Sequence, residues 1–251
     1  MRVVVTRPAA QAATWVQSLA ARGIAAVALP LIDIAPPADV PAVTAAWRTL
    51  ASQRLAVFVS PNAAQAFFER RPADVSWPPS TRAASVGPGT TQVLQGLGVP
   101  AVSIVEPAPE SAQFDSESLW QRLGEEDWSA AKVLVVRGDG GRDWLADTLR
   151  ERGAQVAFIA AYRRVAPRFQ GEAARLLDEA IRHPAEHVWL FSSSEAIDHL
   201  VAARAGPWSQ ARAIATHPRI AQRAREHGFG AVHASRPTLE AVVACIQSLA
   251  S

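Results

Sequence analysis

The chain has 251 residues, 49% of them apolar and 19% charged, with a net charge of +2. A chain of this length suits one to two domains and hides roughly 70–75% of its unfolded surface, which excludes a disordered tail protein and a disulfide-stapled miniature. Its lone cysteine, Cys245, excludes an intrachain disulfide and points to a reducing compartment, so a cytoplasmic protein is expected.

In chain order, the pattern predicts strands over 3–6 and 26–31 with a helix over 14–22 between them. A strand over 56–60 leads to a helix over 63–70. A strand over 82–86 leads to a helix over 91–96, and a strand over 102–105 follows. Helices are then expected over 144–152, 194–203 and 220–226, alternating with the partners of the earlier strands. The strand segments are short continuous apolar runs, as in strands buried on both faces. Alternating β and α elements imply parallel sheets with right-handed crossovers. Gly23, Gly98, Gly153 and Gly228 fall where helices should end, in the position that needs a positive φ.

The same order appears twice. Val3-Val4-Val5-Thr6-Arg7 matches Val133-Leu134-Val135-Val136-Arg137, and Arg22-Gly23 matches Arg152-Gly153. Both following apolar runs exit at Ala-Pro, at Ala35-Pro36 and Ala166-Pro167. Val57-Phe58-Val59-Ser60-Pro61-Asn62 matches Trp189-Leu190-Phe191-Ser192-Ser193-Ser194, and 97–102 matches 227–232. The offset stays at 130 to 132, so the chain reads as a tandem duplication with its seam near 124–131.

Open parallel sheets bind ligands beyond the carboxyl ends of their strands. Here those ends carry Thr6-Arg7-Pro8, Ser60-Pro61-Asn62, Gly87-Pro88-Gly89-Thr90, Arg137-Gly138 through Gly141-Arg142, Ser192-Ser193-Ser194 and Thr216-His217-Pro218-Arg219. Small, hydroxyl-bearing and glycine corners expose backbone N–H groups at helix N-termini, which suits carboxylates or phosphates. The plain alternative for each residue is N-capping. Six such corners in two symmetric sets favour an anion-lined cleft.

Other chemistry is sparse. Lys132 is the one lysine and no Walker A loop is present. G-x-G-x-x-G, H-E-x-x-H, C-x-x-C and G-x-S-x-G are missing too. The six histidines show no metal-ligand spacing, because Pro184 breaks the helix that would align His183 with His187. His217 is the single histidine in a strand-end loop. Tyr162, the only tyrosine, is either a strand aromatic at a hinge or a phenol facing the cleft. The scattered arginines form no basic stripe, so no nucleic-acid partner is expected. The opening apolar run is too short for a signal peptide, and no stretch reaches the ~18 apolar residues of a membrane span.

Over essentially its whole length the chain resembles the uroporphyrinogen-III synthase family. The resemblance lies in Val5-Thr6-Arg7-Pro8, Phe58-Val59-Ser60-Pro61-Asn62-Ala63, Val86-Gly87-Pro88-Gly89-Thr90, Val135-Val136-Arg137-Gly138 with Gly141-Arg142, Tyr162-Arg163, Phe191-Ser192-Ser193 and the closing stretch 221–245. It implies an α/β fold of two similar parallel-sheet, flavodoxin-like lobes joined by a two-stranded linker. Lobe 1 would take 1–34 with 168–251, lobe 2 would take 37–160, and 35–36 and 161–167 would connect them. The implied substrate is hydroxymethylbilane, a linear tetrapyrrole with eight carboxylates. It is closed with inversion of ring D and loss of water, without metal or organic cofactor, by a monomer. Tyr162 is the implied catalytic residue, assisting loss of the hydroxyl or orienting ring D. Ser60, Asn62, Gly87, Thr90, Ser192 and Ser193 are implied substrate contacts, with Thr6, Arg7, Arg137, Gly138 and Arg142 beside them. Thr216 stands where the family often has a glycine–threonine loop. Another class stays open: an intracellular two-lobed module derived from this fold that binds or senses an anionic ligand without turning it over, or that serves as a regulatory domain.

Overall fold

The computed structural model describes residues 1–250. The chain divides into two compact units, one of residues 1–33 and 165–251 and one of residues 34–164.

The first unit opens with β1 (Arg2–Val5), α1 (Ala9–Ala20) and β2 (Ala26–Ala28). Its remainder comes from the other end of the chain: α7 (Gly171–Arg182), β9 (His187–Phe191), α8 (Ser194–Ala203), β10 (Arg212–Ala215), α9 (Pro218–Glu226), β11 (Ala231–Ala234) and α10 (Leu239–Ala250). The sheet order is β11-β10-β9-β1-β2, with these pairings parallel.

The second unit holds β3 (Asp33–Ala35), α2 (Val40–Arg48), β4 (Leu55–Phe58), α3 (Pro61–Phe68), β5 (Arg82–Ser85), α4 (Pro88–Gly96) and β6 (Ile104–Val105). It continues through α5 (Ser116–Leu123), β7 (Lys132–Gly138), α6 (Trp144–Glu151) and β8 (Gln155–Val165). Its sheet order is β3-β8-β7-β4-β5-β6, with β8-β7-β4-β5-β6 parallel. Position by position, β6-β5-β4-β7-β8 repeats β11-β10-β9-β1-β2. Each sheet therefore combines the opening β–α–β of one sequence copy with the later strands of the other.

Both faces of both sheets are covered, as the continuous apolar runs require. In the first unit Val4, Trp189 and Phe191 face one core, while Val3, Val5, Val188 and Leu190 face the other. In the second, Ala56 and Phe58 face one core and Leu55 and Val57 the other. Each large apolar side chain sealed in this way contributes roughly 1.5–3 kcal/mol. Helix ends at Gly23 and Gly153, and at Gly98 and Gly228, take φ values of 72°, 88°, 92° and 83°, so the duplicated glycines serve one purpose in both units.

The structure departs from the expected elements in several places. The strand expected over 26–31 stops at Ala28. The backbone still bonds to β1 on both sides of Pro30, through Leu29 N to Val5 O and Leu31 N to Thr6 O. The strand expected over 102–105 shrinks to two residues because a 3₁₀ turn follows Pro100 and leaves Val102 97% exposed. The helix expected from 14 begins at Ala9, directly after Pro8. Helices α2, α5, α7 and α10 add to the expected elements, with Asp39 and Asp115 capping the first two by accepting from Ala42 N and Ser118 N at 2.9 Å. Residues 161–165, expected as connector, are the end of β8, with Ala161 and Tyr162 buried in the core.

Candidate functional site

The polar corners lie at the carboxyl ends of the strands in each unit. In the second unit, β4 runs into Ser60, whose extended backbone (φ −167°) starts α3. Ser60 Oγ accepts from Ala63 N at 3.1 Å and lies 3.2 Å from the Tyr162 hydroxyl. Asn62 follows in the first turn of α3, half-buried.

Tyr162 reaches Ser60 through an irregularity in β8. Arg137 pairs with Ala160 but Gly138 pairs with Tyr162, so Ala161 is an extra residue in β8. A bulge of this kind re-aims the side chain after it. Ala161 and Tyr162 consequently enter the same core, which strict strand alternation would forbid. Gly138 makes the space: a Cβ there would lie 3.1 Å from Tyr162 Cζ. The phenol is 4% exposed, a more enclosed position than a ring facing open solvent.

Gly87 precedes α4, and its carbonyl accepts from Thr90 N at 3.0 Å and Thr91 N at 3.2 Å. A Cβ on Gly87 would stand 2.9 Å from Phe114 Cβ, so this glycine is demanded by packing. Thr90 is buried at the same helix start. Behind it lies a relay that the sequence reading did not single out. Thr91 Oγ1 donates to Glu106 Oε2 at 2.6 Å, which leaves Ser85 Oγ, also 2.6 Å from Thr91 Oγ1, as the donor in that second bond. A hydroxyl six residues after a strand-end serine was the one available signal.

Arg137 and Arg142, the two arginines named for this unit, are already paired. Arg137 donates to Asp143 and stacks over Phe158 at 4.1 Å. Arg142 forms a bidentate pair with Glu117 at 2.6 and 3.0 Å, and its hydrogen bonds to that carboxylate raise its pKa.

In the first unit, Thr6 donates its hydroxyl to Leu190 O at 2.7 Å and is buried, so its side chain pins β1 to β9. The hydroxyl of this residue, expected beside the substrate contacts, thus has a partner within the sheet. Arg7 lies 4.4 Å over the Trp15 ring and reaches Gln11 Oε1 only at 3.5 Å. Its Nε is sealed from solvent without a hydrogen-bond partner among the described residues, and desolvation pulls its pKa down to about 10. Among the arginines named from sequence, Arg137 and Arg142 have carboxylate partners, while the interactions found for Arg7 are neutral.

Ser192 and Ser193 lead into α8, and Ser193 makes no side-chain capping bond. Thr216 follows β10, is 4% exposed, and its N–H donates to Phe191 O at 3.1 Å. His217 caps α9 by accepting from Arg219 N at its Nδ1, 3.1 Å away. The choice between capping and ligand contact thus divides by residue: Ser60 and His217 cap, whereas Gly87 and Ser193 do not. Among the described residues no group of three or more His, Cys, Asp or Glu side chains is placed to hold a metal ion, and no helix is long and apolar enough to cross a membrane.

The chain is similar to known proteins in sequence and in fold. The family model described as uroporphyrinogen-III synthase HemD matches residues 13–244. A uroporphyrinogen-III synthase of Escherichia coli K12 is 28% identical over 244 residues, covering 91% of this chain and 92% of its own. One of Salmonella typhimurium is 29% identical over 172 residues, 68% of each chain. Two solved structures share the fold. A mutant uroporphyrinogen III synthase of Thermus thermophilus has a TM-score of 0.61 at 17% identity, covering 100% of this chain and 97% of its own. The uroporphyrinogen-III synthetase of Helicobacter pylori has a TM-score of 0.62 at 16% identity, covering 99% and 100%.

Proposed function

Because the chain belongs to the uroporphyrinogen-III synthase family, we propose that it cyclises hydroxymethylbilane to uroporphyrinogen III, inverting ring D and releasing water. It is a cyclising hydro-lyase of tetrapyrrole biosynthesis. The family match over 13–244 carries this reading. The polar corners at the strand ends of both sheets are the features of this chain that agree with it.

The physical demand is control of conformation. The bilane closes without inversion on its own, so the protein must favour the route in which ring D turns over. Holding reacting ends in a near-attack geometry can lower a barrier by up to ~7–11 kcal/mol. A helix N-terminus contributes roughly 0.3–1 kcal/mol per carboxylate at an exposed site, and up to ~2 when partly buried. A substrate with eight carboxylates can engage several such ends at once.

Within this proposal the roles are as follows. Backbone N–H groups at the starts of α3, α4, α8 and α9, reached through Ser60, Asn62, Gly87, Thr90, Ser192, Ser193 and Thr216, hold carboxylates. Arg7 adds a cation that has no carboxylate partner among the described residues. Arg137, Gly138 and Arg142 shape the loop between β7 and α6. Tyr162 acts at the reacting end, orienting ring D or assisting departure of the hydroxyl. The two units serve as two domains of one cytoplasmic monomer.

The test is product identity. Hydroxymethylbilane generated in situ, with and without the protein, is converted and the isomers separated. Isomer III in excess of the background isomer I is the expected result. Isomer I alone, at the rate seen without protein, would remove the proposal.

A further inference from the structure

The fold devotes three separate features to one phenol. The bulge at Ala161 turns Tyr162 onto the face that alternation would deny it. Gly138 leaves the space for the ring, 3.1 Å from where its own Cβ would be. Ser60, already the cap of α3, stands 3.2 Å from the phenol oxygen. A tyrosine needed only for packing requires none of these.

We propose that Ser60 is a positioning residue for Tyr162, donating its hydroxyl proton to the phenol oxygen and so leaving the phenolic proton directed away from Ser60. The direction follows from the hydrogen-bond chain. Ser60 Oγ accepts from Ala63 N, which polarises its own O–H and makes it the better donor. The first turn of α3 reinforces this, because its N–H groups carry partial positive charge. Ala63 N–H to Ser60 O–H to Tyr162 O–H then forms a run of donors in one sense. Ser60 would thereby act through Tyr162, beyond any contact it makes with a carboxylate. The inference rests on the reading that Tyr162 serves the reacting end.

A second property of the sequence makes it testable. Tyr162 is the only tyrosine in the chain, so every tyrosine signal of the full-length protein belongs to it. The intensity ratio of the tyrosine Fermi doublet in the Raman spectrum reports whether a phenol oxygen accepts or donates. The wild type should show an acceptor. Ser60→Ala should lose that signature, with kcat falling about tenfold beside any rise in KM from its carboxylate contact, and Ser60→Thr should restore the signature and kcat. Gly138→Ala leaves the α3 cap intact and should displace the ring, altering the doublet and lowering kcat, so the test survives if Ser60→Ala does not fold.

A donor signature in the wild type, or a doublet unchanged in both Ser60→Ala and Gly138→Ala, would overturn the inference. So would a Ser60→Ala enzyme whose kcat holds, whatever its KM, since Ser60 would then serve as a carboxylate contact alone. Tyr162→Phe separates the two levels. A slowed Tyr162→Phe beside a full-rate Ser60→Ala defeats the inference alone; a full-rate Tyr162→Phe removes the reading beneath it.

Discussion

Arg7 stacks on Trp15 with no carboxylate partner among the described residues. Its Nε is sealed without a hydrogen-bond partner among those residues, and burial pulls its pKa down to about 10. A base whose folded pKa is depressed destabilises the fold at neutral pH. The unfolded chain then binds more protons above about pH 10, so this residue's contribution to stability improves as pH climbs through that range. A charge kept under such conditions is suited to an anionic ligand. Arg7→Gln should therefore leave the melting temperature unchanged or higher while raising KM for the bilane about tenfold. Thermal melts and steady-state kinetics on the same preparation check this, and a lowered melting temperature with unchanged KM would assign Arg7 to the fold alone.

At the scale of elements, the ends of strands are tied by a few ion pairs. Glu126, between α5 and β7, accepts from Arg54 just before β4 at 2.6 Å and from Arg82 in β5 at 2.9 and 3.0 Å. Burial pushes its pKa up, but the hydrogen bonds and charges of Arg82 and Arg54 outweigh that and hold it below the usual glutamate range. The stabilisation is present above the unfolded glutamate pKa and disappears as pH falls through the lower folded value. Glu126→Gln should lose stability at neutral pH and show a flatter decline in acid, measured by urea midpoints between neutral and acid pH. Equal acid slopes in mutant and wild type would show that the triad is screened away.

Part of this arrangement is legible in the sequence. The duplicated motifs exposed the strand order and the polar corners, because each corner follows a buried apolar run and begins a helix. Arg137 and Arg142 looked like ready cations, since their partners Asp143 and Glu117 are brought to them by loop geometry and by a helix 25 residues away. Tyr162 falls at the point where the sequence suggests a strand leaving for a connector, and neither its place within β8 nor its face is legible, because no residue pattern announces the extra Ala161. Helices α2 and α5 begin at aspartate caps but span only nine and eight residues, so their apolar stripes are short.

For the whole molecule, the exchange of β–α–β openings between sequence copies has a consequence for folding. Residues 34–164 are contiguous and contain a six-stranded sheet with cores on both faces. Residues 1–33 supply only β1, α1 and β2 to a sheet completed after residue 164. A 34–164 fragment should melt cooperatively on its own, whereas a 1–164 fragment should carry an unfolded, protease-sensitive N-terminal segment. A non-cooperative 34–164 fragment would mean that the unit depends on the rest of the chain.

The account depends on the strand-end amides gripping the substrate, and hydrogen exchange measures those amides directly. Uroporphyrinogen III, kept reduced, is added to the full-length protein and backbone exchange is followed by mass spectrometry. Slowed exchange is expected in peptides spanning 60–64, 87–91, 138–142, 192–196 and 216–220, with α2, α5 and α7 unchanged. Protection confined to other surfaces, or none at all at saturating ligand, would contradict it.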